Sequence, residues 1–558
     1  MQEQMARDRT AAYDAVIVGA GFGGLYALYK LRGLGLSVRV LEQAPSVGGT
    51  WYWNNYPGCR CDVESMDYSY SFSEELEQEW EWTERYATQP EILRYLNYVA
   101  DKFDLRRDIQ LNTGVTAAHF EVGSNRWVIE TRGGARIFAH YLVTAVGCLS
   151  ARKNPADEYK GLDHFQGPWY VTSAWPKEGV DFTGQRVGVI GTGSTGIQSI
   201  PQIAKQADHV YVFQRTPNFS VPAQNHQLDR EYQAAVKAGY RERRRMAKES
   251  TFGVPLSPAE KSALELSPED RRQGLERAWQ AGGVGLMNVF NDLLIDREAN
   301  EVAAEFVRSK IREMVKVPEV AKMLCPTDHP IATKRLCVDT EYFDTYNRDN
   351  VTLVNVRRSP IEEITAIGLR TNDAEYELDS IVFAIGFDAM TGALFDIDIR
   401  GRHGLTLREK WAAGPRTYLG IATAGFPNMF IITGPGSPSV LSNMVVSIEQ
   451  HVDWIADCIV YMRERHLDCV EATVEAENQW VQHVDDVGHA TLFPLCPNSW
   501  YVGANVPGKP RVFTPYIGGV AVYRRTCDEV AANDYEGFAL SRAAQHIPKA
   551  KPANAAWG

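Results

Sequence analysis

The chain has 558 residues, 44% of them hydrophobic and 23% charged, a composition that fits a soluble globular protein too long for one core. A formal net charge of −12 argues against a nucleic-acid partner, which would need a basic stripe. Nine scattered cysteines, at 59, 61, 148, 325, 337, 458, 469, 496 and 527, contain no CxxC pair, so neither a redox dithiol nor a metal site is expected and a reduced, cytoplasmic setting is.

The N-terminal MQEQMARDRT is polar and without an apolar run, so no secretory signal is expected. From Tyr13 the sequence YDAVIVGAGFGGLYALYKLRGLGLSVRVLEQ reads as strand, glycine-rich turn, helix and second strand, with Gly19, Gly21 and Gly24 at the turn and Glu42 at the end of the second strand. The glycines let backbone approach a pyrophosphate at the helix N-terminus. A carboxylate at Glu42 accepts hydrogen bonds from ribose hydroxyls and repels a 2′-phosphate, so this unit is predicted to take FAD or NAD rather than NADP.

The same pattern recurs in QRVGVIGTGSTGIQSIPQIAKQADHVYVFQR, with Gly191, Gly193, Ser194, Thr195 and Gly196 at the turn. Its second strand ends in Arg215 and Thr216, a guanidinium and a hydroxyl in place of a carboxylate, which suits the 2′-phosphate of NADPH. Each unit is closed by a later strand ending in glycine, YLVTAVG and SIVFAIG. Between about 224 and 328 strand signals stop and charged amphipathic helices take over. The basic run Arg241 to Arg245 there reads as a solvated helix face.

After Asp388 the chain is expected to return to the first unit through GFPNMFIITGPGS, whose apolar stretch is too short to span a membrane. The predicted fold is therefore α/β, with two Rossmann-type dinucleotide-binding domains and a helical insertion in the second. Its parts are 1–150 and 389–542 for the FAD domain, 151–223 and 331–388 for the NADPH domain, 224–330 for the insertion, and 543–558 as a loose tail.

Two motifs sharpen this. GGTWYWNNYPGCRCD holds Gly49, Thr50, Trp51, Tyr56, Pro57, Gly58 and Asp62, and FQGPWYVTSAWP holds Phe165, Gly167, Trp175 and Pro176. In these the chain resembles the type I Baeyer–Villiger monooxygenases. From Tyr13 to Leu540, in segments such as WAAGPRTYLG and SWYVGANVPGKPRVF, it is similar to their phenylacetone and steroid monooxygenase group. It departs from that pattern at Val171, where the second motif has histidine, and at Val146 and Ile385, where the family's two turns have threonine.

The resemblance implies an FAD- and NADPH-dependent enzyme that converts ketones to esters or lactones with O2, through a C4a-peroxyflavin and a tetrahedral adduct. It assigns Arg335 as the active-site cation and Asp62 as the carboxylate that holds it, whereas the residues alone favour a structural ion pair, a preference that the two surrounding motifs reverse. It also implies Lys334 as a second ligand of the 2′-phosphate, with a solvated lysine as the alternative, and Trp500 as a mobile-loop contact to the nicotinamide cofactor. The loop Ser437 to Met444 is assigned to the substrate pocket through Ser437, Val440, Leu441 and Met444, joined by Leu336 and Cys337, and suggests bulky or aromatic ketones. A monomer with no membrane or nucleic-acid partner is expected. The rival readings are an N- or S-oxygenating flavin monooxygenase, and an NADPH oxidase uncoupled by Val171.

Overall fold

The computed structural model describes residues 11–542, so the tail from Ala543 lies outside the described residues. The strand Ala12–Val18 is apolar on both faces, with Ala15, Val16 and Ile17 sealed from solvent, as a strand in the middle of a covered parallel sheet must be. It pairs in parallel with Val38–Leu41 on one side and Arg136–Thr144 on the other. The sheet runs on through Ile109–Gln110 at one edge and through the antiparallel strands Arg126–Thr131 and Val115–Glu121 at the other.

Two late segments join this first sheet. Asp398–Arg400 extends its edge by pairing with Val115–Glu121, and Met429–Ile431 pairs with Arg136–Thr144. The helix Met444–Glu464 then packs on Phe22–Gly33, where Tyr26 and Lys30 both donate to Asp453 Oδ1, at 2.7 and 2.6 Å.

The second sheet is entirely parallel, in the order Val351–Asn355, His209–Gln214, Arg186–Ile190, Ser380–Phe383, Trp169–Val171. Val171 ends its edge strand, buried with Phe165, Ile190 and Phe383. Between residues 223 and 331 there are five α-helices and no strand. The stretch is bracketed by Ser220–Pro222 and Cys337–Asp339, which pair in parallel as a separate two-stranded ribbon.

One expectation fails in these helices. Of the run Arg241 to Arg245, Arg244 is buried, bonding Glu77 at 2.7 Å and Ser69 Oγ at 2.7 Å, and Arg243 forks onto Asp67 with two bonds of 2.6 Å. Acids some 170 positions away, invisible to a local charge count, turn part of a solvated face into an interface.

Candidate active site

Both glycine-rich turns are built so that backbone, not side chain, faces the nucleotide. A Cβ at Gly24 would fall 1.8 Å from the Gly19 carbonyl oxygen, and one at Gly196 would fall 2.2 Å from that of Gly191, so neither helix could pack on its strand with any larger residue. The helices Phe22–Gly33 and Ser194–Ala204 start after Gly21 and Gly193 with no side-chain cap and no acid in the first turn, which leaves their first N–H groups and positive dipole ends free for an anion. A Cβ at Gly193 would meet nothing within 4 Å, so open space lies ahead of that helix.

Glu42 is buried at the end of its strand, where its carboxylate accepts from Ala20 N–H at 2.7 Å and Ala44 N–H at 2.8 Å. Burial raises its pKa and the backbone donors oppose that rise. Arg215 and Thr216 occupy the matching place in the second unit. Lys334 lies beside them, its pKa lowered chiefly by burial, with Arg215 adding to the effect and Cys496 and Asp328 working against it.

Between the two cradles Arg335 reaches Asp62, 273 positions away, in a forked pair: Nε donates to Oδ2 at 2.8 Å and Nη2 to Oδ1 at 2.7 Å. Its remaining Nη1 donates to the Val440 carbonyl at 2.8 Å. Burial alone would lower the guanidinium's pKa, but the Asp62 charge and hydrogen bonds outweigh it and hold the group above its ordinary value, so it is charged at any working pH. About a quarter of each side chain stays accessible, through the cavity they face.

That cavity, of about 1430 Å³, runs continuously from one cradle to the other. On its wall lie Gly19, Gly21, Glu42, Gly49, Thr50, Trp51 and Asp62 from the first unit. From the second come Gly191, Gly193, Ser194, Thr195, Arg215, Thr216, Lys334 and Arg335, and from the returning chain Val440, Met444 and Trp500. Three buried acceptors on the same wall, Asn54 Oδ1, Asn218 Oδ1 and Asn505 Oδ1, have no hydrogen-bond partner among the described residues, as expected where a polar ligand completes the site.

Six expected residues stand behind the wall. Gly24 and Gly196 pack the cradles from within. Ser437 turns its hydroxyl onto the Gly434 carbonyl at 2.7 Å, and Leu441 packs with Val440 and Ile517 in a small core. Leu336 and Cys337 are buried, and Cys337 Sγ lies 3.3 Å from Ser194 Oγ and 3.1 Å from Asn218 Nδ2. These contacts put the thiol beneath the second cradle, a correction to its assignment to the substrate space. Burial pushes that thiol up to about 12, so it does not titrate near neutral pH.

Sequence reasoning passed over Asn218, Tyr501 and Arg357. Asn218 follows Arg215-Thr216-Pro217 and could have been found by reading three residues further. Tyr501 is buried close to Arg335, and burial raises its hydroxyl to about 12 against the pull of that cation. Arg357 has no local signal, because only the pairing of two strands brings it to Thr216.

A profile of the pyridine nucleotide-disulphide oxidoreductase family matches residues 13–239. The chain is 43% identical over 551 residues to a Baeyer–Villiger monooxygenase of Pseudooceanicola batsensis, covering 98% of this chain and all of that one. It is also 43% identical to a phenazine N-monooxygenase of Lysobacter antibioticus, over 95% of this chain and 97% of that protein. Among solved structures, an oxidized steroid monooxygenase bound to NADP superposes with a TM-score of 0.91 at 53% identity, covering 95% of this chain and all of the other.

Proposed function

From the premise that this chain belongs to the Baeyer–Villiger monooxygenases, as full-length similarity establishes, we propose that it converts ketones to esters or lactones with NADPH and O2. FAD and NADPH are its cofactors, and their chemistry when bound is to deliver an activated oxygen to the ketone. The free helix N-termini, the three partnerless buried acceptors and the cationic end of the cavity fit both dinucleotides.

The chain's own contribution centres on Arg335. Oxygen insertion builds negative charge on the ketone oxygen, and a cation already fixed in place stabilises that charge without reorganising. Three of the guanidinium's donors are committed, two to Asp62 and one to the Val440 carbonyl, which orients the plane while its accessible edge faces the cavity. Glu42 orients the first cofactor through its ribose, and Arg215, Thr216 and Lys334 select the phosphorylated second one. Val440, Met444 and Trp500 supply apolar wall, which supports bulky or aromatic ketones. A single chain carries every residue of the site, in keeping with a monomer, and nine free, buried thiols are compatible with a reducing, cytoplasmic compartment.

The observation that carries this reading is the forked Arg335–Asp62 pair at the junction of the two cradles. Holoenzyme supplied with NADPH, O2 and a panel of cyclic, aryl and steroid ketones should form esters, quantified by gas chromatography alongside hydrogen peroxide. Arg335→Ala should keep NADPH-driven flavin reduction and lose ester formation by at least about 100-fold, the scale for removing an oriented charge from a transition state. Ester formation at the wild-type rate in that variant would sink the assignment. A second reading, N-oxygenation, is favoured by the phenazine N-monooxygenase relative, so a phenazine belongs in the panel.

A further inference from the structure

The strand Val351–Asn355 runs parallel to His209–Gln214 with Asn355 opposite Gln214, and Val356 N–H donates to the Gln214 carbonyl at 3.0 Å. That register carries the chain one step further to set Arg357 beside Thr216. Its Nη2 donates to Thr216 Oγ1 at 3.0 Å and to Asp328 Oδ2 at 2.7 Å. The other oxygen of Asp328 lies 2.8 Å from Nδ1 of His329, whose side chain is buried edge-on against Phe219. His329, and after it Arg357, hold the Asp328 carboxyl below the usual carboxylate range, so it is ionised at neutral pH.

Arg357 faces the same cavity as Arg215, Thr216 and Lys334. The three cations act on one another, since both arginines depress the Lys334 ammonium while Asp328 supports it. Three positive charges against the single carboxylate of Asp328 leave a net charge of +2, equal and opposite to a 2′-phosphate dianion. An arginine half-exposed on a strand end would otherwise sample many rotamers, and two fixed hydrogen bonds remove most of that freedom before any ligand arrives.

We propose that Arg357 is a third cation of the subsite for the 2′-phosphate of NADPH, and that Asp328 and His329 are positioning residues that hold its guanidinium against Thr216. The proposal rests on the assignment of the second cradle to NADPH and adds a specificity residue to it. An NADH-selective version of this site would have no use for a cation at residue 357, whereas a bidentate guanidinium suits phosphate geometry.

Calorimetric titration of the FAD-loaded enzyme with adenosine 2′,5′-bisphosphate and with adenosine 5′-monophosphate isolates the 2′-phosphate without requiring turnover. Arg357→Ala should weaken the bisphosphate roughly tenfold and leave the monophosphate unchanged, the size of one charge-assisted contact. Arg357→Lys should recover part of the loss. Asp328→Asn should cost about threefold for the bisphosphate alone, through looser positioning. Full bisphosphate affinity in Arg357→Ala, where Arg215→Ala loses it, would overturn the role of Arg357, as would equal losses for both ligands. If Arg215→Ala, Lys334→Ala and Arg357→Ala all bind the bisphosphate normally, the NADPH assignment of the second cradle fails first and takes this proposal with it.

Discussion

Asp339 shows how much of this site rests on groups that never touch the cavity. It is a buried carboxylate two residues beyond Cys337, held by Ser220 Oγ at 2.5 Å and by Tyr342 N–H at 3.2 Å, and it pins the short ribbon that follows Arg335. Burial pushes its pKa up to about 6, with the two donors pulling the other way. Below about pH 4 the folded and unfolded chains both hold the proton and the site costs nothing. Between pH 4 and 6 only the folded chain holds it, so stability falls as pH rises, and above 6 the buried charge costs about 3 kcal/mol. Asp339→Asn keeps one acceptor and removes the charge. Chemical denaturation should therefore show it more stable than wild type, by more at pH 8 than at pH 5, and a loss of stability at pH 8 would refute the argument. Nothing in the sequence marked Asp339, because its burial depends on a strand whose Ser220 lies 119 positions earlier. Arg335 and Asp62 were legible only because fixed-spacing motifs surround them, and the Val440 carbonyl that completes their geometry has no side-chain signature at all.

The strand–turn–helix units were the most readable elements, since their physics is local: an apolar run, glycines at fixed offsets, and a helix with an uncapped N-terminus. Yet the glycines of one turn do different work. Gly191 has φ +108° and a Cβ there would sit 2.5 Å from the Ala384 carbonyl oxygen, so any side chain strains the backbone. Gly193 has φ −84°, open to any residue, and nothing near its Cβ position. Gly193→Ala should thus be neutral or up to about 1 kcal/mol stabilising, while its methyl intrudes on the nucleotide and raises KM for NADPH roughly tenfold. Gly191→Ala should lose about 2 kcal/mol or more. Thermal melts paired with steady-state kinetics separate the two, and equal destabilisation in both variants would show that Gly193 is structural. The ribbon carrying Cys337 was read less well than these units. Adjacency to Arg335 in sequence suggested a shared space, whereas the fold turns the thiol toward Ser194 and Asn218.

At the scale of the whole molecule, the order of the two nucleotide units and the return of the chain to the first sheet were visible from repeated patterns. The closure of the site between them was not, since it depends on three segments far apart in sequence. Asp62 follows the first unit, Arg335 follows the helical stretch, and Val440 comes with the returning chain, so the forked pair either staples the molecule or prepares it for chemistry. The coupling of NADPH to ester separates the two. About three quarters of each side chain is buried, so removing one partner strands a charge and costs stability in either role. Asp62→Ala should therefore lower the melting temperature. It should also free the guanidinium from two of its three anchors, so that NADPH is still consumed while its electrons leave as hydrogen peroxide instead of ester. The ratio of ester formed to NADPH oxidised should drop several-fold, well beyond any change in folded fraction. A large fall in melting temperature with an unchanged ratio would instead make the pair a staple. Wild-type enzyme in the same assay also measures the consequence of Val171. That residue is packed into the apolar edge of the second sheet, away from the cavity wall, so a high ester-to-NADPH ratio is expected despite its departure from the family pattern.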